Sequence, residues 1–396
     1  MPLPFRTLLL YIGVLGIVGA GALAFISTPP LTMQSNEPLV TVQTANVSLA
    51  EATPIPPSIE MRDEPTYASE PTVPEQQNDP TPPPPSLSGT EDQGVSAVER
   101  ISNPYPFPPP SLQTINERAR SALVNIMCTS GNESLRSISG SGVIIDSRGV
   151  ILTNAHVAQY VLLSQSPKIS LSCVIRSGAP ARTLWNVEVL YIPPVWVEEH
   201  AGDITKSNPS GTGEYDYALL HITGPSDPRV PDVFKGSYPA LPFDTRQAIS
   251  FPEDIMLVTA YPAEFVGSTA TQFDLHPVSS LMPISQLLTF HANTVDLLAF
   301  EGAVEAQSGS SGGPVVNLWG YVTGIITTTS DGLTTAEREL RAITTSYINR
   351  DLSTRAGLGL AAILSGNLQI TAANFKANHG SALTELLIDQ IVNRLQ

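Results

Sequence analysis

The apolar positions of this 396-residue chain fall into three unlike patterns. Thr7–Ser27 is a continuous, charge-free apolar run. At about 1.5 Å per residue, its roughly twenty residues are long enough to cross a hydrocarbon layer of about 30 Å. From Thr28 to Pro110 no apolar period survives. Beyond Ser111 apolar residues return in short β-branched runs, broken by Gly, Pro, Ser and Asn. They include Ala122–Met127, Gly142–Ile145, Val150–Thr153, Ile169–Ile175, Tyr217–Ile222, Ile255–Thr259, Leu297–Phe300 and Tyr321–Thr329. Many short strands between turn signals predict an all-β body, a sandwich or barrel. Strands do not alternate with long helices, which excludes a parallel α/β sheet. The one clear helical period lies at the end. In Ala382–Leu395, Leu383, Leu386, Leu387, Ile391 and Leu395 share one face after a break at Gly380-Ser381. That segment is expected to be a terminal helix packed on the β body.

The flanks of the first run orient the chain. Arg6 precedes it and Glu37 is the first charge after it, so the positive-inside bias places everything downstream outside the cell. A cleaved signal peptide, with Ala22-Leu23-Ala24 as its small-residue site, is the alternative. The run exceeds the usual 7–15-residue signal core, which favours a retained single-pass anchor in the cell membrane. Both readings export the body, tethered or secreted. Residues 28–111 hold about half of the chain's 36 prolines. A segment so rich in Pro, Glu, Ser and Thr buries too little to offset its ordering entropy, and is expected to be a disordered spacer. The folded part is then 112–396. A net charge of −16 and the lack of any basic run argue against a phosphate-neutralising surface, so nucleic acid is not expected as a partner. Cys128 and Cys173 are the chain's two cysteines, with no CxxC or Cys/His ligand spacing, so neither a metal nor another cofactor is expected.

Candidate chemistry sits in three segments. A serine hydroxyl becomes a useful nucleophile when a base takes its proton and donors meet the oxyanion that forms. Val150–Val157 runs as a strand into His156; Glu214–Ile222 opens an apolar strand with Asp216; and Gln307–Pro314 presents Ser311 between glycines, as Gly309-Ser310-Ser311-Gly312-Gly313-Pro314. Gly309 allows its own N–H and that of Ser311 to converge on one point. Ser311, not Ser308 or Ser310, precedes Gly-Gly-Pro with a glycine two before it. Asp203 is the rival acid but lies in a Gly/Ser/Asn-rich loop, and His200, His221, His276, His291 and His379 lack comparable surroundings. A Ser–acid–His order with a strand, Gly-x-Ser-x-Gly and helix would mark an α/β hydrolase, and neither feature is present.

In this order and spacing the segments resemble those of the trypsin-like (chymotrypsin) superfamily of serine proteases. They are nearest to its bacterial HtrA/Deg-like branch, over about residues 118 to 350. Ser139–Ile145 and Val258–Pro262 are similar to further family segments. The resemblance implies two six-stranded antiparallel β-barrels, 112–235 and 236–350, with a C-terminal extension at 351–396. It assigns His156, Asp216 and Ser311 as the catalytic triad, Gly309 and Ser311 N–H as oxyanion donors, and proteins or peptides as substrates. Glu305 and Thr327-Thr328-Thr329 fall at the primary specificity pocket, an acid favouring Lys or Arg and β-branched walls favouring small apolar residues. Cys128 and Cys173 fall on neighbouring strands, as a disulfide or as two buried thiols. Digestive relatives have Asp where Ser310 stands and an activation site before the first barrel; this chain has neither, so cleavage-dependent activation is not expected. About 45 residues follow Arg350, too few for a PDZ domain. The competing expectation is a trypsin-fold binding module without catalysis.

Overall fold

The computed structural model describes residues 103–393, apart from 132–134, 207–210, 230–231, 233, 248, 264–272, 292, 302–307 and 330–338. The expected anchor and nearly all of the expected linker lie outside the described residues. Among the described residues no helix is long and apolar enough to cross a membrane.

The first six strands are β1 (Leu123–Ser130), β2 (Ile138–Asp146), β3 (Val150–Thr153), β4 (Leu171–Ser177), β5 (Arg182–Tyr191) and β6 (Ala218–Pro225). They close a barrel in the order β1-β2-β3-β6-β5-β4, antiparallel throughout. Cys128 on β1 lies directly opposite Cys173 on β4, and the two form a disulfide with Cα atoms 4.1 Å apart. The alternative of two free thiols is thereby excluded. The bridge spans 45 residues, for which chain entropy alone corresponds to about 4 kcal/mol.

The next seven strands are β7 (Ile255–Ala260), β8 (Val278–Pro283), β9 (Gln286–Leu288), β10 (Leu297–Glu301), β11 (Pro314–Val316), β12 (Val322–Thr329) and β13 (Glu339–Thr344). Their order is β8-β7-β11-β12-β13-β10-β9. This corrects the expected count of six. The extra strand arises because Ile284-Ser285 bends one passage of chain into β8 and β9, which pair with opposite ends of the sheet. Ser285 N–H donates to Ala299 O at the bend. Covalent continuity thus joins the sheet's two ends, and the result is barrel-like.

The apolar runs are continuous because several strands are buried on both faces. Ile144, Ile151 and Leu220 point into the first barrel. Their neighbours Val143, Ile145, Val150, Leu152 and Leu219 face outward, against Leu257, Val316, Ile325 and Ile343 of the second. That shared layer fixes one barrel against the other.

Helices supply more of the structure than the apolar pattern indicates. Helix α1 (Leu112–Ala122) begins at Ser111, whose Oγ accepts from Thr114 N–H. It buries Ile115, Ala119 and Ala122, a stripe too small to stand out in a polar segment, and runs straight into β1. Helix α2 (Ala155–Ser164) follows β3, and α3 (Pro194–His200) follows β5. After β13 come α4 (Thr345–Arg355), α5 (Leu360–Ser365), α6 (Leu368–Phe375) and α7 (Ser381–Asn393). The expected terminal helix is α7, which packs Leu383, Leu387 and Ile391 into the first-barrel core; Leu395 lies outside the described residues. It is the last of four helices instead of one.

The folded chain also begins before the expected boundary at 112. Tyr105 Oη donates to Asp244 Oδ2 at 2.7 Å and accepts from Asn317 Nδ2 at 2.9 Å. Its ring stacks on Tyr321, and Trp319 Nε1 donates to Phe107 O. Arg246 lies over the ring and donates to Pro104 O. Burial first, then the hydrogen bond to Asp244, pushes the Tyr105 phenol well above the ordinary tyrosine range. Residues 104–107 therefore form a strap on the second barrel. Tyr105→Ala should cost about 2 kcal/mol through lost packing and an Asn317 Nδ2 left without its acceptor. A lower urea midpoint with an unchanged slope is the expected result.

Candidate active site

His156 is the second residue of α2, where backbone N–H groups lack acceptors within the helix. The side chain of Asn154, the residue before the helix, makes no capping bond and instead donates to Asp216 O at 2.8 Å. Asp216, just before the neighbouring strand β6, caps the helix: Oδ1 accepts His156 N–H at 2.9 Å. Its Oδ2 meets His156 Nδ1 at 2.8 Å and accepts from Thr327 Oγ1, also at 2.8 Å. A carboxylate 4% exposed is thus held by an imidazole, a main-chain donor and a hydroxyl. The bond fixes the imidazole tautomer, with the proton on Nδ1 and Nε2 left as the basic nitrogen.

The charges follow from this geometry. Burial opposes the imidazolium, but the Asp216 charge and hydrogen bond outweigh it and hold the His156 pKa above the usual histidine value. Burial likewise works against the Asp216 anion, and His156 and Thr327 together hold its pKa below the usual carboxylate value.

Ser311 arrives from the second barrel. Ser141 N–H on β2 donates to Ser311 O at 2.8 Å. A Cβ on Gly312 would fall 2.1 Å from Ser141 O and 2.4 Å from Thr153 Oγ1, so the serine loop touches the strands leading to His156. Gly312 (φ +87°) and Gly309 (φ +94°) occupy left-handed backbone in crowded surroundings, which only glycine fits. Among the described residues no acceptor meets the Gly309 or Ser311 N–H, and no hydrogen bond joins Ser311 to His156. Ser310 Oγ is buried without a partner, so it does not reproduce an ion pair at that position.

Ser141 is a residue the sequence reading passed over. Its Oγ donates to Gly309 O at 2.8 Å and accepts Tyr261 N–H at 2.9 Å, while its carbonyl accepts Thr153 Oγ1 at 2.7 Å. One buried hydroxyl therefore ties the serine loop to β2 and to the end of β7. Its position in Ser139-Gly-Ser-Gly was the available signal.

Other expectations fare unevenly. Thr327, expected on a pocket wall, is buried against Asp216 instead, because its side chain turns back towards the first barrel. Glu305 lies outside the described residues, as do the side chains of Thr328 and Thr329. Asp203 pairs with Lys206 on a 3₁₀ turn. His200 stacks on Trp196, and His221 pairs with Glu188. Among the described residues no group of His, Cys, Asp and Glu could hold a metal.

Two antiparallel barrels sharing an apolar layer, with a buried acid–imidazole pair on one and a glycine-flanked serine from the other, define a chymotrypsin-like architecture. Residues 140–325 match the family model of the trypsin-like peptidase domain, and that stretch of the chain is a trypsin-like peptidase domain. No curated protein matches the chain significantly.

Two outcomes follow. The raised His156 pKa contributes stability below about pH 6.5 that is lost as pH rises through the folded value. The lowered Asp216 pKa contributes above about pH 3.8 and is lost as pH falls through its folded value. The melting-temperature gap between wild type and Asp216→Asn should therefore peak between about pH 4 and 6.5 and narrow towards pH 9. Ser141→Ala leaves Gly309 O and Tyr261 N–H unpaired, and should cost about 1–3 kcal/mol in denaturant titration.

Proposed function

We propose that this protein is a serine endopeptidase that hydrolyses peptide bonds through an acyl-enzyme. Ser311 Oγ attacks the scissile carbonyl while His156 Nε2 takes its proton. The same imidazole then returns the proton to the departing amine, and water releases the acyl group by the reverse roles. Asp216 holds the tautomer and stabilises the imidazolium. The Gly309 and Ser311 N–H groups receive the oxyanion. The observation that carries this reading is the buried Asp216–His156 pair beside which the Ser311 loop docks.

Export fits the Cys128–Cys173 disulfide, since such bridges persist in oxidising compartments. With the apolar run Thr7–Ser27, this supports an enzyme tethered to the outer side of a cell membrane by a Pro-rich spacer. Glu305 with Thr328 and Thr329 remain the proposed primary pocket, and the HtrA/Deg-like branch the proposed affiliation.

One observation favours the second reading, a binding module without catalysis: Ser311 and His156 are not hydrogen-bonded. That bond often tightens only when substrate is present, so the hydrolase reading is preferred. A fluorophosphonate probe decides between them. Wild type should be labelled at Ser311 with loss of fluoride, Ser311→Ala should not be labelled, and His156→Ala should react at least about 10³-fold more slowly. A wild type inert to the probe, though folded, would establish the binding module.

A further inference from the structure

Asp216 sits between two tyrosines, and both are gripped by one face of α4. Tyr347, Asp351 and Arg355 are spaced i, i+4 and i+8 on that helix, so they line a single stripe. Tyr215 N–H donates to Tyr347 Oη at 3.2 Å, and the Arg355 guanidinium lies 4.1 Å above the centre of the Tyr215 ring. Tyr217 Oη donates to Asp351 Oδ2 at 2.8 Å, inside the protein, while Arg355 Nε donates to Asp351 Oδ1, also at 2.8 Å. The stripe thus forms a closed loop of contacts, from one flank of Asp216 through Arg355 and Asp351 to the other.

The backbone explains why a clamp is needed. Tyr215 has φ +59°, a left-handed conformation that costs a non-glycine residue about 1 kcal/mol or more and persists when surroundings over-determine it. Asp216 N–H bonds to Gly213 O and Tyr217 N–H to Tyr215 O. The turn is tight, and the residue beside the acid holds its strain.

We propose that Tyr347, Asp351 and Arg355 are positioning residues, which set the Asp216 carboxylate against His156 by clamping Tyr215 and Tyr217. The clamp rests on the protease reading only for its effect on rate; its effect on His156 is independent of that reading. Thr327 orients the carboxylate from β12, and α4 follows β13, the strand paired with β12, so the acid is held by two neighbouring elements of the second barrel. Among the described residues the titratable and charged groups facing this turn are few. They are Glu214 on the turn itself, His291 paired with Glu214 at 3.2 Å, Tyr191 stacked on Tyr217, the three α4 residues, and His156 across from the acid. Of these, His156 contacts the Asp216 carboxylate directly.

The test uses the full chain in detergent, labelled with ¹⁵N-histidine, with the His156 signal assigned by its loss in His156→Gln. In Arg355→Ala the His156 titration midpoint should fall by about 0.5 to 1 unit, because a loosened carboxylate no longer favours the imidazolium. Tyr217→Phe, which removes one hydroxyl, should move it in the same direction, and Arg355→Lys should restore most of the shift. Labelling of Ser311 by fluorophosphonate at neutral pH should slow about tenfold in Arg355→Ala. A His156 midpoint within about 0.1 unit of wild type in both Arg355→Ala and Tyr217→Phe overturns the clamp, even if the melting temperature falls. A wild type that the probe never labels would overturn the hydrolase reading alone, since the His156 midpoint still decides the clamp.

Discussion

Burying an ionised carboxylate costs several kcal/mol unless its lone pairs are met by donors in good geometry. Asp216 is almost wholly buried, and its three donors come from two residues: His156 in the first turn of α2, through its N–H and its ring, and Thr327 on β12. None of these lies on its own strand. The Thr327 donor is present only while both barrels are closed on each other, and much of the remaining architecture serves that closure. The two-faced strands β2, β3 and β6 supply the apolar layer between barrels, and Ser141 stitches the serine loop across the same seam.

That dependence runs in both directions. Asp216 takes the place of the side-chain cap that Asn154 does not supply, so the first turn of α2 is completed by a residue distant in sequence. His156 is thereby fixed by main chain as well as by side chain. The glycines of the serine loop act in the same economy of space. A side chain on Gly312 would collide with Ser141 O, so close approach of the second barrel to β2 is possible only with hydrogen at that position.

Much of this was legible in the residues. The strand runs, the order of His156, Asp216 and Ser311, and the terminal amphipathic helix all express local periodicity or local motifs. What stayed hidden depends on partners distant in sequence. Helix α1 shows three small or medium apolar residues among charges, and becomes recognisable only where the barrels bury them. Thr327 looked like a pocket wall because register alone cannot say which way a hydroxyl turns beside a buried anion. The division of one bent passage into β8 and β9 falls at Ile284 and Ser285, where Pro283 and Ser285 mark a break but not that its two halves pair with opposite ends of the sheet. The Tyr105 strap lay inside a Pro-rich tract whose composition reads as disorder, and its order comes from Asp244, Asn317 and Tyr321.

The strap also decides where mechanical load enters the molecule. Any pull on the chain before Asn103 reaches Tyr105 first, and is borne by a stacked ring and two hydrogen bonds anchored on the second barrel. Force delivered there must shear the strap from its seat before it reaches α1 and the first strand. The seam at which His156 and the Ser311 loop meet is shielded from tension along the chain.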